Sequence, residues 1–123
     1  MVLLLDTHAL IWWLAGDSGL SEAQVGAIRD RRNTRYVSAA SIWEISIKLG
    51  LGKIEIDADY PSVLRSQGFI ELPISWRHAQ AVTDLPQHHR DPFDRLLVAQ
   101  AKIEDMTLVT SDPLIVRYDV NAI

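Results

Sequence analysis

Four acidic residues stand where an apolar segment ends or where a predicted helix begins, and their type and spacing could do chemistry. They are Asp6, Glu44, Asp94 and Asp112. Asp6, for example, directly follows the apolar run Met1–Leu5. Carboxylate oxygens are the ligands that hard divalent cations such as Mg²⁺ and Mn²⁺ prefer, and these ions commonly keep several waters. If the four side chains meet, the sequence predicts a site for such an ion rather than for zinc.

Each of these acids also has a purely structural explanation. Asp6 and Asp112 are in position to cap helices, and Ser41–Glu44 has the spacing of a capping box. Asp91 can cap the next helix, where Asp94 would only interact favourably with the helix dipole. Helix caps need not recur at one edge of a sheet, whereas the ligands of one ion must lie together. The joint placement therefore favours a metal site.

The elements that must position these acids follow from hydrophobic patterning. Met1–Leu5 is apolar without alternation, which is typical of a strand buried on both faces of a parallel sheet. Further strands are predicted at 36–38, 69–72 and 107–110, with a last short strand within 116–120. Helices are predicted at 7–15, 21–32, 39–49, 61–67, 75–83 and 93–104, with a helical turn opening at 111–113. This alternation predicts an α/β fold with a short, mostly parallel central sheet.

Composition limits the class of protein. The chain has 123 residues, 48% of them apolar and 23% charged, which fits one soluble globular domain over 1–123. It contains no cysteine, so disulfides, thiol nucleophiles and zinc–thiolate sites are excluded. The apolar start lacks a basic leader, and no stretch is long enough to cross a membrane. We therefore expect a cytoplasmic protein without a membrane partner.

Other chemistries fit the sequence less well. No Walker, G-x-G-x-x-G or G-x-S-x-G pattern is present. The histidines show no paired ligand spacing, and His88 and His89 fall in a polar loop where we expect solvent exposure. A haloacid-dehalogenase-like phosphatase would need an acid at position 8, which is His8. A receiver domain would need neighbouring acids beside Asp6 and a late lysine, yet no lysine follows Lys102.

Four segments, in order along the chain, resemble the motifs of PIN-domain proteins, specifically of VapC-type toxins. They are 4–8 (Leu-Leu-Asp-Thr-His), 38–48 (from Ser38 to Lys48), 91–101 (Asp-Pro-Phe-Asp-Arg-Leu-Leu-Val-Ala-Gln-Ala) and 108–112 (Leu-Val-Thr-Ser-Asp). Together they span nearly the whole chain. The resemblance implies a single PIN domain with a three-layer α/β/α arrangement.

The resemblance also assigns roles to individual residues. It implies that Asp6, Glu44 and Asp94 bind the metal and that Asp112 is a fourth, more variable acid. Asp91 is an alternative ligand to Asp94, although its position suits a helix cap. Polar neighbours expected to support the carboxylates are Thr7, Thr110 and Ser111.

The implied activity is that of a Mg²⁺- or Mn²⁺-dependent endoribonuclease, in which metal ions neutralise phosphate charge and activate water for in-line attack. The implied partners are RNA, a small VapB-like antitoxin and a second copy of the chain in a homodimer. Basic residues expected to hold the RNA backbone are Lys48, Lys53, Arg90 and Arg95. A PIN nuclease of RNA maturation and a catalytically silent PIN binding module remain alternatives.

Overall fold

Four strands form a central sheet in which every neighbouring pair is parallel. The computed structural model describes residues 1–16 and 19–123. In that part of the chain the strands are β1 (Val2–Leu5), β2 (Thr34–Ser38), β3 (Ile70–Leu72) and β4 (Thr107–Val109). Their spatial order is β3-β2-β1-β4. The predicted α/β class is thus confirmed, and the sheet is wholly parallel rather than mostly so.

Six α-helices connect and cover these strands in the described residues. They are α1 (Thr7–Ala15), α2 (Glu22–Arg29), α3 (Ala39–Gly50), α4 (Tyr60–Ser66), α5 (Trp76–Ala81) and α6 (Pro92–Ile103). Helix α5 continues as a 3₁₀ turn over Val82–Asp84. The helix predicted at 7–15 is observed as α1, which Gly16 caps, and residues 17 and 18 lie outside the described residues. None of the described helices has the length and apolar character needed to cross a bilayer.

The last predicted strand, within residues 116–120, is wrong. A 3₁₀ turn occupies Ile115–Arg117 instead, because the Asp112 carboxylate and carbonyl accept the amides of Leu114 and Ile115 at 2.8 and 3.2 Å. Extended pairing begins later, where Ala122 forms a parallel bridge to Leu108. The chain thus returns to the sheet along the outer edge of β4.

Two apolar cores, one on each face of the sheet, give the protein three layers. Alternation along β1 sends Leu3 and Leu5 into one core and Leu4 into the other. The first core includes apolar residues of α1, α2, α3 and α4, and the second includes residues of α6. All three leucines are fully buried, as the unbroken apolar run predicts for a strand covered on both faces.

The strand order reverses at β1. From β1 the chain proceeds outward to β2 and β3, and it then returns to the opposite side of β1 to form β4. Ligands of open α/β sheets bind at the carboxyl ends of strands beside such a reversal. Asp6 and Asp112 follow the two strands that meet there.

Candidate metal centre

Asp6 is buried, with only 3% of its surface exposed. Its backbone amide donates to the carbonyl of Val109, which ties the end of β1 to the end of β4. Its Oδ1 accepts the amide of Ala9 at 2.8 Å, so Asp6 also caps α1. Burial raises the pKa of Asp6, against the opposing effect of hydrogen bonds from the Thr110 side chain and the Ala9 amide. The structural explanation of Asp6 and its proposed chemical role are therefore compatible.

Asp94 lies in the first turn of α6, beside a different capping residue. Asp91 caps this helix, and its Oδ1 accepts the amides of Phe93 at 2.8 Å and of Asp94 at 3.2 Å. Burial raises the pKa of Asp94 to about 7, and the negative charges of Asp91, Glu44 and Asp6 act in the same direction. Asp91 therefore has the role of the cap, and the carboxylate of Asp94 faces other acids.

Glu44 does not take part in a capping box. The cap of α3 is Ser38, whose Oγ accepts the amide of Ala40 at 3.0 Å, so Glu44 lies six residues into the helix. Its side chain is only 13% exposed, and Oε2 lies 3.2 Å from Nζ of Lys48. Its Oε1 is buried and has no hydrogen-bond partner among the described residues. The capping explanation for Glu44 is wrong, and a buried acceptor is left for a ligand.

Asp112 and Thr110 complete the group from the end of β4. The Thr110 hydroxyl accepts the amide of Asp112 at 3.1 Å and is also hydrogen-bonded to the Asp6 side chain. Burial disfavours the charged form of Asp112, but hydrogen bonds from the Leu114 amide and from His89 outweigh it and lower the pKa of Asp112. The pKa of Asp112 is therefore lowered, whereas burial and neighbouring negative charges raise the pKa of Asp94.

The other predicted supporting residues are positioned by packing between elements. Thr7 is buried, and its hydroxyl donates to Ser41 Oγ at 3.1 Å, which links α1 to α3. Ser111 lies beside Gln24 of α2, with Oγ 3.4 Å from the amide nitrogen. That nitrogen also donates to the Thr110 carbonyl at 3.0 Å. Thr7 and Ser111 therefore bond to neighbouring elements, while Thr110 bonds to the acids directly.

His89 joins the acids although the sequence predicted an exposed loop residue. Its side chain is 13% exposed, and Nε2 lies 2.8 Å from Oδ2 of Asp112 and 3.2 Å from Oδ2 of Asp94. Potential ligand atoms of these three residues all lie within 4.8 Å of one another. The available signal was the position of His89 two residues before Asp91, just ahead of α6, which places it near the helix start.

The predicted basic residues differ in their surroundings. Lys53 and Arg90 are exposed, and Lys48 is paired with Glu44. Arg95 is 8% exposed, and its guanidinium donates to the carbonyls of Pro86 and Val82 at 2.8 and 3.0 Å. The expectation that Arg95 holds RNA is contradicted, because its donors are already used inside the protein.

By distance, the possible ligand atoms of Asp94 and Asp112 group with those of His89, and Asp6 and Glu44 are not in that group among the described residues. Asp6 and Glu44 are connected to it by charge, since each affects or is affected by the pKa of a neighbouring acid. Asp94 interacts with the charges of Asp6 and Glu44, and Asp6 interacts with that of Asp112. They come from the ends of β1 and β4, from α3 and from the start of α6. This arrangement places several carboxylate groups at the carboxyl edge of the sheet.

The chain belongs to the PIN-domain family, since the family profile "PIN domain" matches residues 3–121. No sequence among curated proteins matches this chain.

Three solved structures illustrate the similarity of fold. One is the structure of VapBC2 from Rickettsia felis bound to a promoter DNA fragment. It has 17% sequence identity to this chain and a TM-score of 0.73, and the match covers 100% of this chain and 98% of that chain. FitAcB from Neisseria gonorrhoeae is 21% identical with a TM-score of 0.61, covering 98% and 95% of the two chains. FitAB bound to an IR36 DNA fragment gives 20% identity and a TM-score of 0.61, covering 98% and 93%. At these identities the similarity supports the fold.

Proposed function

We propose that this PIN-domain protein is a Mg²⁺- or Mn²⁺-dependent endoribonuclease that acts as the toxin of a toxin–antitoxin pair. The observation that carries the proposal is that Asp94 and Asp112 have possible ligand atoms within 4.8 Å of each other, beside Asp6 and Glu44, whose charges raise the pKa of Asp94. So many acids in a half-buried place repel one another unless a cation or protons compensate. PIN-family membership supports a phosphodiester hydrolase.

The residues present fit a hard divalent cation. The donor set is dominated by carboxylate oxygens, and Glu44 contributes a buried Oε1 with no partner among the described side chains. In this proposal Asp6, Glu44 and Asp94 hold the ion and Asp112 assists. The bound cation would neutralise phosphate charge and activate water for attack at phosphorus.

The protein's own groups prepare this site for the cation. The Ala9 amide and the Thr110 hydroxyl fix the Asp6 carboxylate by hydrogen bonds. Asp91 caps α6, which frees Asp94 from a capping role. Preorganised ligands of this kind reduce the reorganisation needed when metal and substrate bind.

Exposed basic residues are proposed to hold the RNA backbone. Lys53 and Arg90 retain this role, and Lys48 is available only when its ion pair with Glu44 opens. Neutralising a residue that contacts one phosphate should reduce the salt dependence of single-stranded RNA binding by about 0.7 in log–log slope. Lys102→Gln, an exposed residue in the last turn of α6, serves as the control. Unchanged affinity and slope for Lys53→Gln and Arg90→Gln would remove the assignment.

The proposed antitoxin partner has a suitable apolar surface. Trp43, Ile47 and Leu51 follow one another at intervals of four residues along and just beyond α3, and they are 61%, 41% and 64% exposed. An amphipathic helix of a small VapB-like protein would cover such a stripe. Support comes from the resemblance to VapC-type toxins and from the similar folds of VapBC2 and FitAB. Trp43→Ser should weaken co-purification with the product of a small neighbouring gene, whereas Trp76→Ser, at a tryptophan 94% exposed on α5, should not.

The proposed homodimer is tested by sedimentation of the protein alone. A single species at the monomer mass across the accessible concentration range would exclude it.

The experiment that tests the activity is cleavage of a labelled RNA pool with Mg²⁺ or Mn²⁺, with EDTA, and with Asp6→Asn. We expect cleavage that requires metal and falls at least 100-fold in Asp6→Asn, on the scale of removing a preorganised catalytic group. Asp105→Asn removes an exposed carboxylate just beyond the other end of α6 and should cut like the wild type. If well-folded, antitoxin-free protein leaves diverse RNAs intact, the silent binding module replaces the nuclease.

Expression in a bacterial host separates a toxin from a nuclease of RNA maturation. A toxin should arrest growth, and co-expression of its antitoxin should restore it. Normal growth with active enzyme, together with discrete processed RNA ends, would favour RNA maturation.

A further inference from the structure

His89 is held by its ring and by its backbone. The amide of Asp91 donates to Nδ1 at 3.1 Å, while Nε2 lies 2.8 Å from Asp112 Oδ2 and 3.2 Å from Asp94 Oδ2. The His89 amide donates to the Tyr118 hydroxyl at 2.9 Å. These contacts connect the loop before α6 with both the start of that helix and the segment after β4.

The contact to Nδ1 determines which ring nitrogen carries the proton. An Nδ1 that accepts a hydrogen bond has no hydrogen of its own, so the hydrogen of the imidazole is on Nε2. Nε2–H therefore donates to the carboxylates of Asp112 and Asp94. Binding a cation directly through Nε2 would require the other tautomer and the loss of the bond from Asp91.

The loop that carries His89 is itself anchored. Arg95 donates to the carbonyl of Pro86 at 2.8 Å and to the hydroxyl of Tyr118 at 3.2 Å. The same hydroxyl accepts the His89 amide. The buried guanidinium thus holds both the beginning of the loop and the residue that fixes His89.

We propose that His89 is a positioning residue that joins the carboxylates of Asp94 and Asp112 through its Nε2–H and thereby sets the affinity of the site for divalent cations. The role rests on the metal site of the proposed function. Asp94 and Asp112 belong to different elements, and without a shared donor their charges would push them apart. Hydrogen-bond donors behind metal ligands typically change metal affinity by about 10- to 100-fold.

The test measures Mn²⁺ binding, with free Mn²⁺ counted by electron paramagnetic resonance. His89→Leu removes the donor, and we expect it to weaken Mn²⁺ binding by about tenfold or more. His89→Gln can place an amide donor close to the position of Nε2 and should recover most of the affinity. Gln87→Leu is the control, because Gln87 is an exposed residue of the same loop. It should bind Mn²⁺ like the wild type.

Each outcome has a distinct meaning. Equal affinity of His89→Leu and wild type would overturn the positioning role while leaving the nuclease in place. A loss in His89→Gln as large as in His89→Leu would overturn it in favour of direct ligation by the imidazole. A wild type that neither binds Mn²⁺ nor cuts RNA would overturn the proposed function and the role of His89 together.

A measurement on the wild type covers the case in which His89→Leu does not fold. Long-range ¹H–¹⁵N spectra of metal-free protein should show His89 as the Nε2–H tautomer. The Nδ1–H tautomer would contradict the proposed contacts.

Discussion

The surroundings of Asp94 oppose its ionisation. Its pKa rises from 3.8 to about 7 because it is buried and lies near three other acids. Between these two pH values the folded state binds a proton that the unfolded state does not. The contribution of Asp94 to stability is therefore greatest below pH 4 and is lost as the pH rises to about 7.

We predict that Asp94→Asn stabilises the metal-free protein, and that its advantage over wild type grows between pH 4 and 7. The gain in unfolding free energy at pH 8 should be about 1–2 kcal/mol, less than the full shift implies because solvent screens a partly exposed group. Urea denaturation in EDTA at a series of pH values measures it. Asp105→Asn, at an exposed carboxyl, should show no such growth. A difference in unfolding free energy between Asp94→Asn and wild type that does not vary with pH would contradict the raised pKa of Asp94.

Lys48 would compete with the proposed cation for Glu44. Its ammonium lies 3.2 Å from Glu44 Oε2, and its side chain is 26% exposed. Pairs this accessible contribute at most about 1 kcal/mol, so Lys48→Met should raise Mn²⁺ affinity by up to about fivefold. Calorimetric titration measures the change, and a weakened affinity would show instead that Lys48 orients the carboxylate for the ion.

At the residue scale the sequence indicated that Asp6, Glu44 and Asp94 lie near one another, but it did not indicate all their neighbours. Asp6 could be predicted because a fully apolar strand ends there. His89 could not, because its importance depends on a loop folding back between α6 and the end of β4. Arg95 was misassigned since charge alone does not reveal burial, and the carbonyls that receive its guanidinium come from a 3₁₀ turn and a loop.

At the scale of elements, two glycines provide a matched pair of predictions. Gly16 ends α1 with φ of +68°, and its amide reaches the carbonyls of Trp12 and Trp13. Gly26 lies within α2, and nothing lies within 4 Å of where its Cβ would be. Gly16→Ala should lower the unfolding free energy by about 1 kcal/mol, and Gly26→Ala should raise it by about 0.5–1 kcal/mol. Thermal denaturation tests both, and shifts of the same sign would contradict the reasoning.

Helix positions were predictable because capping and periodicity are local signals. Ser21 and Ser75 begin α2 and α5 with capping boxes that the structure contains. The last segment was mispredicted since residues 116–120 contain β-branched side chains, yet the hydrogen bonds of Asp112 start a 3₁₀ turn just before them. Local bonding there outweighed strand propensity.

At the scale of the molecule, the parallel sheet and its two cores follow from the apolar strands, and the family match over 3–121 agrees with them. The strand order could not be read from patterning alone. The order depends on which strand pairs with the free edge of β1 after β3, and long-range contacts determine that pairing. That order is what brings Asp112 beside Asp6.

The return of the chain along β4 also has a consequence for self-association. Leu108 and Thr110 donate to the carbonyls of Asn121 and Ile123, and Ile123 donates back to Leu108. These bonds occupy groups of an edge strand that would otherwise be open to strand addition and aggregation. Removing residues 121–123 should therefore produce oligomers whose size grows with protein concentration, measured by light scattering. As a control, Ile123→Ala keeps the backbone hydrogen bonds and should not form these oligomers. If the truncated protein also forms none, the edge of β4 is protected in another way.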